Sequence, residues 1–169
     1  HLPFAYNLKN ALPHSIALDR SLAYILAGKS MVGKTNTLKI IYRMAADKGG
    51  MVYYIDMTTN VLNLPEYENA SIVRDYEELN KMCETIIPPL KDRNQRKKKM
   101  EADDYTPEEI FLEFSNEQPI FILIDELPTF LDKLQKATDK YAIIRSLLEN
   151  FAEKGRLHKL HFIMTLNNT

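Results

Sequence analysis

Cysteine is almost missing from this 169-residue chain. A lone Cys83 excludes an intrachain disulfide and suits a reducing compartment. Long apolar runs are missing as well. The best, Pro119-Ile120-Phe121-Ile122-Leu123-Ile124, is stopped at once by Asp125 and Glu126, well short of a membrane span. No signal peptide is present, and the chain opens at His1-Leu2-Pro3 without a methionine, so it is expected to be an excised piece of something longer. Charge of one sign is missing too: a formal net charge of −1 argues neither for nor against a polyanionic partner. There is no internal repeat and no low-complexity tract. The length fits one domain with a real core, and 1–169 is read as a single unit.

Glycine is scarce, five in all, yet two of the five organise one octet. Gly28-Lys29-Ser30-Met31-Val32-Gly33-Lys34-Thr35 spells G-x-x-x-x-G-K-[ST], the loop that cradles nucleotide phosphates. The glycines let the backbone curl so that successive N–H groups converge on phosphate oxygens. Lys34 is spaced to reach the β- and γ-phosphates, and the Thr35 hydroxyl to ligate Mg²⁺. Leu22-Ala23-Tyr24-Ile25-Leu26-Ala27 reads as a buried strand entering the loop. Behind it Leu38, Ile41, Tyr42 and Ala45 recur at helical spacing, and that helix aims its positive end at the anion.

Strands alternate with helices along the rest of the chain, which predicts an α/β fold: a mostly parallel sheet with helices on both faces. Ser15–Asp19, Met51–Asp56, Ala70–Val73, Ile120–Asp125 and Leu160–Thr165 read as further strands. Asp75 is placed to cap a helix carrying Tyr76, Leu79, Met82, Cys83, Ile86 and Ile87 on one face, which Pro88-Pro89 is expected to break or kink. Thr106-Pro107-Glu108-Glu109 is a helix start, a short helix is expected around Thr129–Leu134, and a long one over Asp139–Glu153.

A phosphate loop alone binds nucleotide; hydrolysis needs an acidic partner. The strand Ile120–Ile124 delivers adjacent carboxylates, Asp125 and Glu126, at the sheet edge that also carries the loop. Asp125 is assigned to Mg²⁺ and Glu126 to the attacking water. The bland alternative is that the two acids merely open a helix. No Asn-Lys-x-Asp element of the guanine readers is present, which favours ATP.

The order of these elements resembles the FtsK/SpoIIIE-type motor ATPases over almost the whole chain. Besides the two nucleotide motifs, three stretches carry the resemblance. They are Tyr54-Ile55-Asp56; Ser71-Ile72-Val73-Arg74-Asp75 with the helix ending Lys91-Asp92-Arg93-Asn94-Gln95-Arg96-Lys97; and Ala152 through Thr165. The divergent loop and the opening residues look most like the C-terminal ATPase modules of the EssC/EccC branch, the membrane-anchored motors of type VII protein secretion. The resemblance implies a RecA-like P-loop core, here C-terminally truncated, that assembles with adjacent ATPase modules of one chain or ring. It places Asn167 where the family has a sensor glutamine, and Arg156 where an arginine can reach a neighbour's nucleotide. Met31-Val32 stands where the family is richer in glycine, which implies a binding loop of low turnover. It also implies a place at the cytoplasmic face of the cell membrane, reached only through missing N-terminal parts, and secreted helical-hairpin proteins as substrates.

Other features have plainer readings. Five of the seven residues from Arg93 to Lys99 are basic, but no interleaved aromatic serves base stacking and nearby acids offset the charge. A solvated helix end is favoured over a nucleic-acid patch. His158 and His161 lack the further ligands a zinc site needs. Tyr67, Tyr105 and Phe111 are read as core rather than as a partner groove. Three functional readings stand: an ATP-binding, weakly hydrolysing module of a type VII secretion motor; a DNA translocase of the same family; and a non-catalytic module that binds export signals.

Overall fold

In a computed structural model, described for residues 2–6, 9, 13–16, 18, 23–58, 63–137, 142–154 and 158–167, five parallel strands form one sheet. In chain order the elements are β1 (Leu2–Tyr6), β2 (Pro13–Ile16), β3 (Ala23–Gly28), α1 (Lys34–Asp47), β4 (Met51–Ile55) and β5 (Ala70–Val73). There follow α2 (Tyr76–Ala102), α3 (Pro107–Glu113), a 3₁₀ turn (Phe114–Asn116), β6 (Ile120–Ile124), α4 (Leu127–Gln135), α5 (Ala142–Lys154) and β7 (Leu160–Asn167). The sheet order is β3-β7-β6-β4-β5, and β1 and β2 pair antiparallel beside it. The last strand is therefore inserted between the phosphate-loop strand and the acidic strand, with Gly28 opposite Asn167 and Ile124 opposite Met164.

Strand parity divides the core in two. Val52, Tyr54, Phe121, Leu123 and Ile163 face α1, where they bury Leu38, Ile41, Tyr42 and Ala45. Tyr53, Ile55, Ile122, Ile124 and Phe162 face the other way, against α2, α4 and α5. Helices thus cover both faces, as the alternation of elements predicts. The strand β3 departs from the expected buried run. Its residues alternate between exposed and half-buried, and Ile25 is exposed. The cause is position: β3 is an edge of this sheet, and only its Tyr24 and Leu26 side packs into the α1 core.

The proline pair does not break its helix. Here α2 runs unbroken from Tyr76 to Ala102 with Pro88 and Pro89 inside. The carbonyls that lose their amide partners, on Glu84 and Thr85, belong to exposed residues, where solvent is within reach. Leu79, Met82, Cys83 and Ile86 before the prolines, and Leu90 and Arg93 after them, are buried and hold both halves down. Burial also pushes the Cys83 thiol up to about 11, so it packs as a small hydrophobe. None of the described helices is long and apolar enough to cross a membrane.

Candidate functional site

The loop between β3 and α1 has the curvature its sequence requires. Gly33 stands at φ 92°, the left-handed region that favours glycine, and a Cβ at Gly28 would meet Val32 Cγ2 at 3.2 Å. Met31 is also left-handed at φ 62° and is fully exposed at the crest. The first turn of α1 carries no acidic residue and no side-chain cap. By contrast, Asp75 caps α2 and a Thr106–Glu109 capping box closes α3. The opening amides of α1 are thus left for an anion. Lys34 Nζ donates to the carbonyls of Gly28 (3.0 Å) and Lys29 (2.6 Å), so the ammonium lies over the mouth of its own loop.

Across the sheet edge, the acidic pair meets this loop. Thr35 Oγ1 donates to Asp125 Oδ1 at 3.2 Å. Asp125 is only 6% exposed, and two more hydroxyls bond it: Thr165 to Oδ1 at 2.7 Å and Tyr54 to Oδ2 at 3.0 Å. Burial, and then the Asp125 charge, drive the Tyr54 phenol far above its ordinary value, so it remains a proton donor. Among the described residues no ion pair includes Asp125 or Glu126. A buried carboxylate bonded by neutral hydroxyls alone, and facing Thr35, is a donor set that fits a divalent cation. Thr35 and Asp125 are the residues that would hold Mg²⁺, which when bound neutralises charge on the phosphate oxygens.

Glu126 begins α4 in a left-handed conformation, φ 56° and ψ 65°, a strain of about 1–2 kcal/mol for a residue with a Cβ. Its backbone N–H donates to Thr165 Oγ1 at 2.8 Å, and its Oε1 accepts from Asn167 Nδ2 at 2.5 Å. Two residues apart on β7, Thr165 and Asn167 share the face that looks toward α1, and together they hold both acids. Met31 and Glu126, on the two lips, are two of the four non-glycine residues at positive φ among the described ones; the others, Asp104 and Lys159, lie away from the site.

The structure therefore brings together Gly28, Lys29, Lys34, Thr35, Asp125, Glu126 and Asn167, with Ser30, Met31, Val32 and Gly33 forming the loop between. Arg156 lies outside the described residues. Asp56 is buried beside the site: its Oδ1 accepts from Thr58 N (2.9 Å) and Thr58 Oγ1 (2.5 Å), closing a local turn after β4, while its charge also helps raise the Tyr54 phenol. Sequence reasoning missed Tyr54 and Thr165. Strand alternation puts Tyr54 on the same face as Asp56, two residues on, but Thr165 has no acid on its own strand, and only the strand order brings both within reach of Asp125.

The remaining features divide. In the basic run, Arg93 is buried and donates to Glu117 Oε2 (3.1 Å) and to the carbonyls of His158 (2.5 Å) and Gln118 (2.9 Å). Arg96 bonds Asp92, Glu113 and Glu117, and Lys97 bonds Glu101. Acids from α3 and the following turn thus engage Arg93 and Arg96, while Lys98 and Lys99 remain exposed at the helix end, as expected of a solvated end. His158 and His161 are buried, and no metal-binding cluster of His, Cys, Asp or Glu occurs among the described residues. Tyr67 packs edge-on against Tyr42, with ring centroids 5.9 Å apart, but Tyr105 and Phe111 are exposed rather than core. The α3 helix is short and buries only Ile110.

One strand inserted between a phosphate-loop strand and an acidic strand, in a parallel sheet with helices on both faces, defines the P-loop ATPase domain fold. Solved structures of that class superpose on the chain. The cytoplasmic domain of EssC does so with a TM-score of 0.76 at 16% identity, over 98% of this chain and 31% of that one. Thermomonospora curvata EccC (ATPases 2 and 3), in complex with a signal sequence peptide, gives 0.66 at 18% identity, over 98% and 28%. The pCW3 conjugation coupling protein TcpA, in a monomer form with ATPγS, gives 0.62 at 20% identity, over 92% and 45%. The likeness to FtsK-type ATPase domains thus holds at the level of fold. The chain spans less than half the length of each of these three proteins. No protein-family profile and no curated protein matches it.

Proposed function

We propose that this chain is an ATP-binding module with slow Mg²⁺-dependent hydrolysis, one ATPase domain of a multi-module type VII secretion motor. The observation that carries it is the Thr35–Asp125 contact, which joins the phosphate loop to a buried carboxylate bonded by neutral hydroxyls alone. Lys34 would leave its carbonyls for phosphate oxygens, Thr35 and Asp125 would hold the metal, and Glu126 would act on water. Asn167 takes the sensor role by contacting Glu126, and Arg156 is assigned to a neighbouring module's nucleotide. The full-length protein would sit at the cytoplasmic face of the membrane through parts outside this sequence, working with adjacent modules on helical-hairpin substrates.

Two fold neighbours support the secretion reading: EssC, and an EccC bound to a signal sequence peptide. That peptide complex also favours an export-signal-binding role alongside the nucleotide. The DNA-translocase reading is weaker, since Arg93, Arg96 and Lys97 of the one basic run are engaged with acids of their own chain, leaving only Lys98 and Lys99 exposed. The test is calorimetric titration of Mg²⁺-ATP into the chain, with phosphate release measured for wild type and Glu126→Gln. Saturable binding, with release lost in Glu126→Gln, is expected. Binding without release in wild type removes the enzyme claim, and no binding overturns the phosphate-loop reading.

A further inference from the structure

The buried tyrosine beside the acidic strand has a hydroxyl that a purely apolar core position does not require. Tyr54 is fully buried, and its ring meets Tyr42 edge-on with centroids 6.0 Å apart, so the phenol cannot swing. Its O–H reaches across from β4 to Asp125 Oδ2 at 3.0 Å. The other oxygen, Oδ1, takes Thr165 at 2.7 Å from β7 and Thr35 at 3.2 Å from α1. A carboxylate on a single side-chain bond rotates unless both oxygens are tied. Here the tie on Oδ2 settles which oxygen faces the phosphate loop.

We infer that Tyr54, with Thr165 opposite it, is a positioning residue that aims Asp125 Oδ1 at the metal of the phosphate-loop site. This rests on the proposed ATP and Mg²⁺ reading and adds a residue to it. Tyr54 touches neither nucleotide nor metal. It acts by holding a ligand in one orientation, and partners of that kind typically carry about 10–100-fold in metal affinity. A hydroxyl suits the task because it donates without adding charge, leaving the Asp125 anion for the cation.

The test compares Tyr54→Phe with wild type in two calorimetric titrations: ATP in the presence of a chelator, and Mg²⁺ at fixed ATP. Tyr42→Phe is the control, since it removes a hydroxyl from the same core whose bond goes to the Pro65 carbonyl instead. Tyr54→Phe is expected to bind metal-free ATP as wild type does. The Mg²⁺ needed for half-saturation should rise about 10–100-fold, with Tyr42→Phe unchanged. An unchanged Mg²⁺ requirement in a folded Tyr54→Phe overturns the inference while leaving the nucleotide reading intact. If that variant fails to fold, Thr165→Val is read against Thr165→Ser. A raised Mg²⁺ requirement in the valine variant, rescued by serine, supports the inference, and equal requirements overturn it. Wild type that binds no ATP under either condition sinks the underlying reading, and this inference with it.

Discussion

The two ends of the sheet both bury charge, and they treat it in opposite ways. Near the N-terminal ends of β6 and β7 the Arg93 guanidinium is buried, yet each of its polar edges is met: one by Glu117, two by backbone carbonyls. At the C-terminal ends of the same strands Asp125 is buried among three hydroxyls. The first end is electrically complete and clamps α2 to the sheet. The second is met by hydroxyl donors alone. One buried charge answered by an opposite charge, and another answered only by neutral groups, distinguish the scaffold end from the candidate site.

Substitution at each end should break this contrast cleanly. Asp125→Asn removes the charge and keeps the shape. On the proposed reading, phosphate release should fall by roughly 100-fold or more, since a bound metal supplies several kcal/mol of transition-state charge stabilisation. Without metal, the same variant should unfold within about 1 kcal/mol of wild type, because no buried ion pair has been broken. Arg93→Met should do the reverse. It strands the Glu117 carboxylate, the buried His158 carbonyl and the part-buried Gln118 carbonyl, so urea unfolding should show a loss of about 2–3 kcal/mol, discounted because Arg96 still holds Glu117. ATP affinity of the folded fraction should not change. If Asp125→Asn destabilises as much as Arg93→Met, the two ends are not different in kind.

Much of the working edge was legible because its chemistry is local. The octet Gly28–Thr35 dictates its own backbone path, and Asp125-Glu126 follows an apolar strand that can only be central. What could not be read depended on neighbours far apart in sequence. The insertion of β7 between β3 and β6 brings Thr165 and Asn167 to the acids, and nothing local to β7 announces that order. Arg93 looked like one more cation in a basic run. Its burial follows from the Glu117 carboxylate and the Gln118 and His158 carbonyls, which two later segments fold over it. Of the two outcomes expected of Pro88-Pro89, a break or a kink, the break does not occur, because tertiary anchors on both sides outweigh two lost hydrogen bonds. Phe111 reads as core from its apolar side chain alone, although on a seven-residue helix only the face of Ile110 is turned inward.

The smallest expected effect tests the clamped end by pH. His158 lies against Phe114, and its buried Nδ1 has no hydrogen-bond partner among the described residues. Burial, then the charges of Lys97 and Arg93, hold its pKa below the ordinary imidazole value. The unfolded chain therefore binds the proton more readily than the folded one. The stability this group contributes is complete above the unfolded value of about 6.5, and is lost as pH falls through the folded value. Glu117 acts in a separate window. Its pKa is held down first by the hydrogen bond from Arg96, so its contribution is lost only in the more acidic range of carboxylates. Thermal unfolding followed from about pH 7.5 to about pH 5.5 should thus show a falling midpoint in wild type and a shallower fall in His158→Phe. At neutral pH the phenylalanine variant should match or slightly exceed wild type, because it removes an unsatisfied buried nitrogen and keeps the ring contact. Parallel slopes would mean that the imidazole takes up its proton in place, and that the clamped end accommodates a further cation after all.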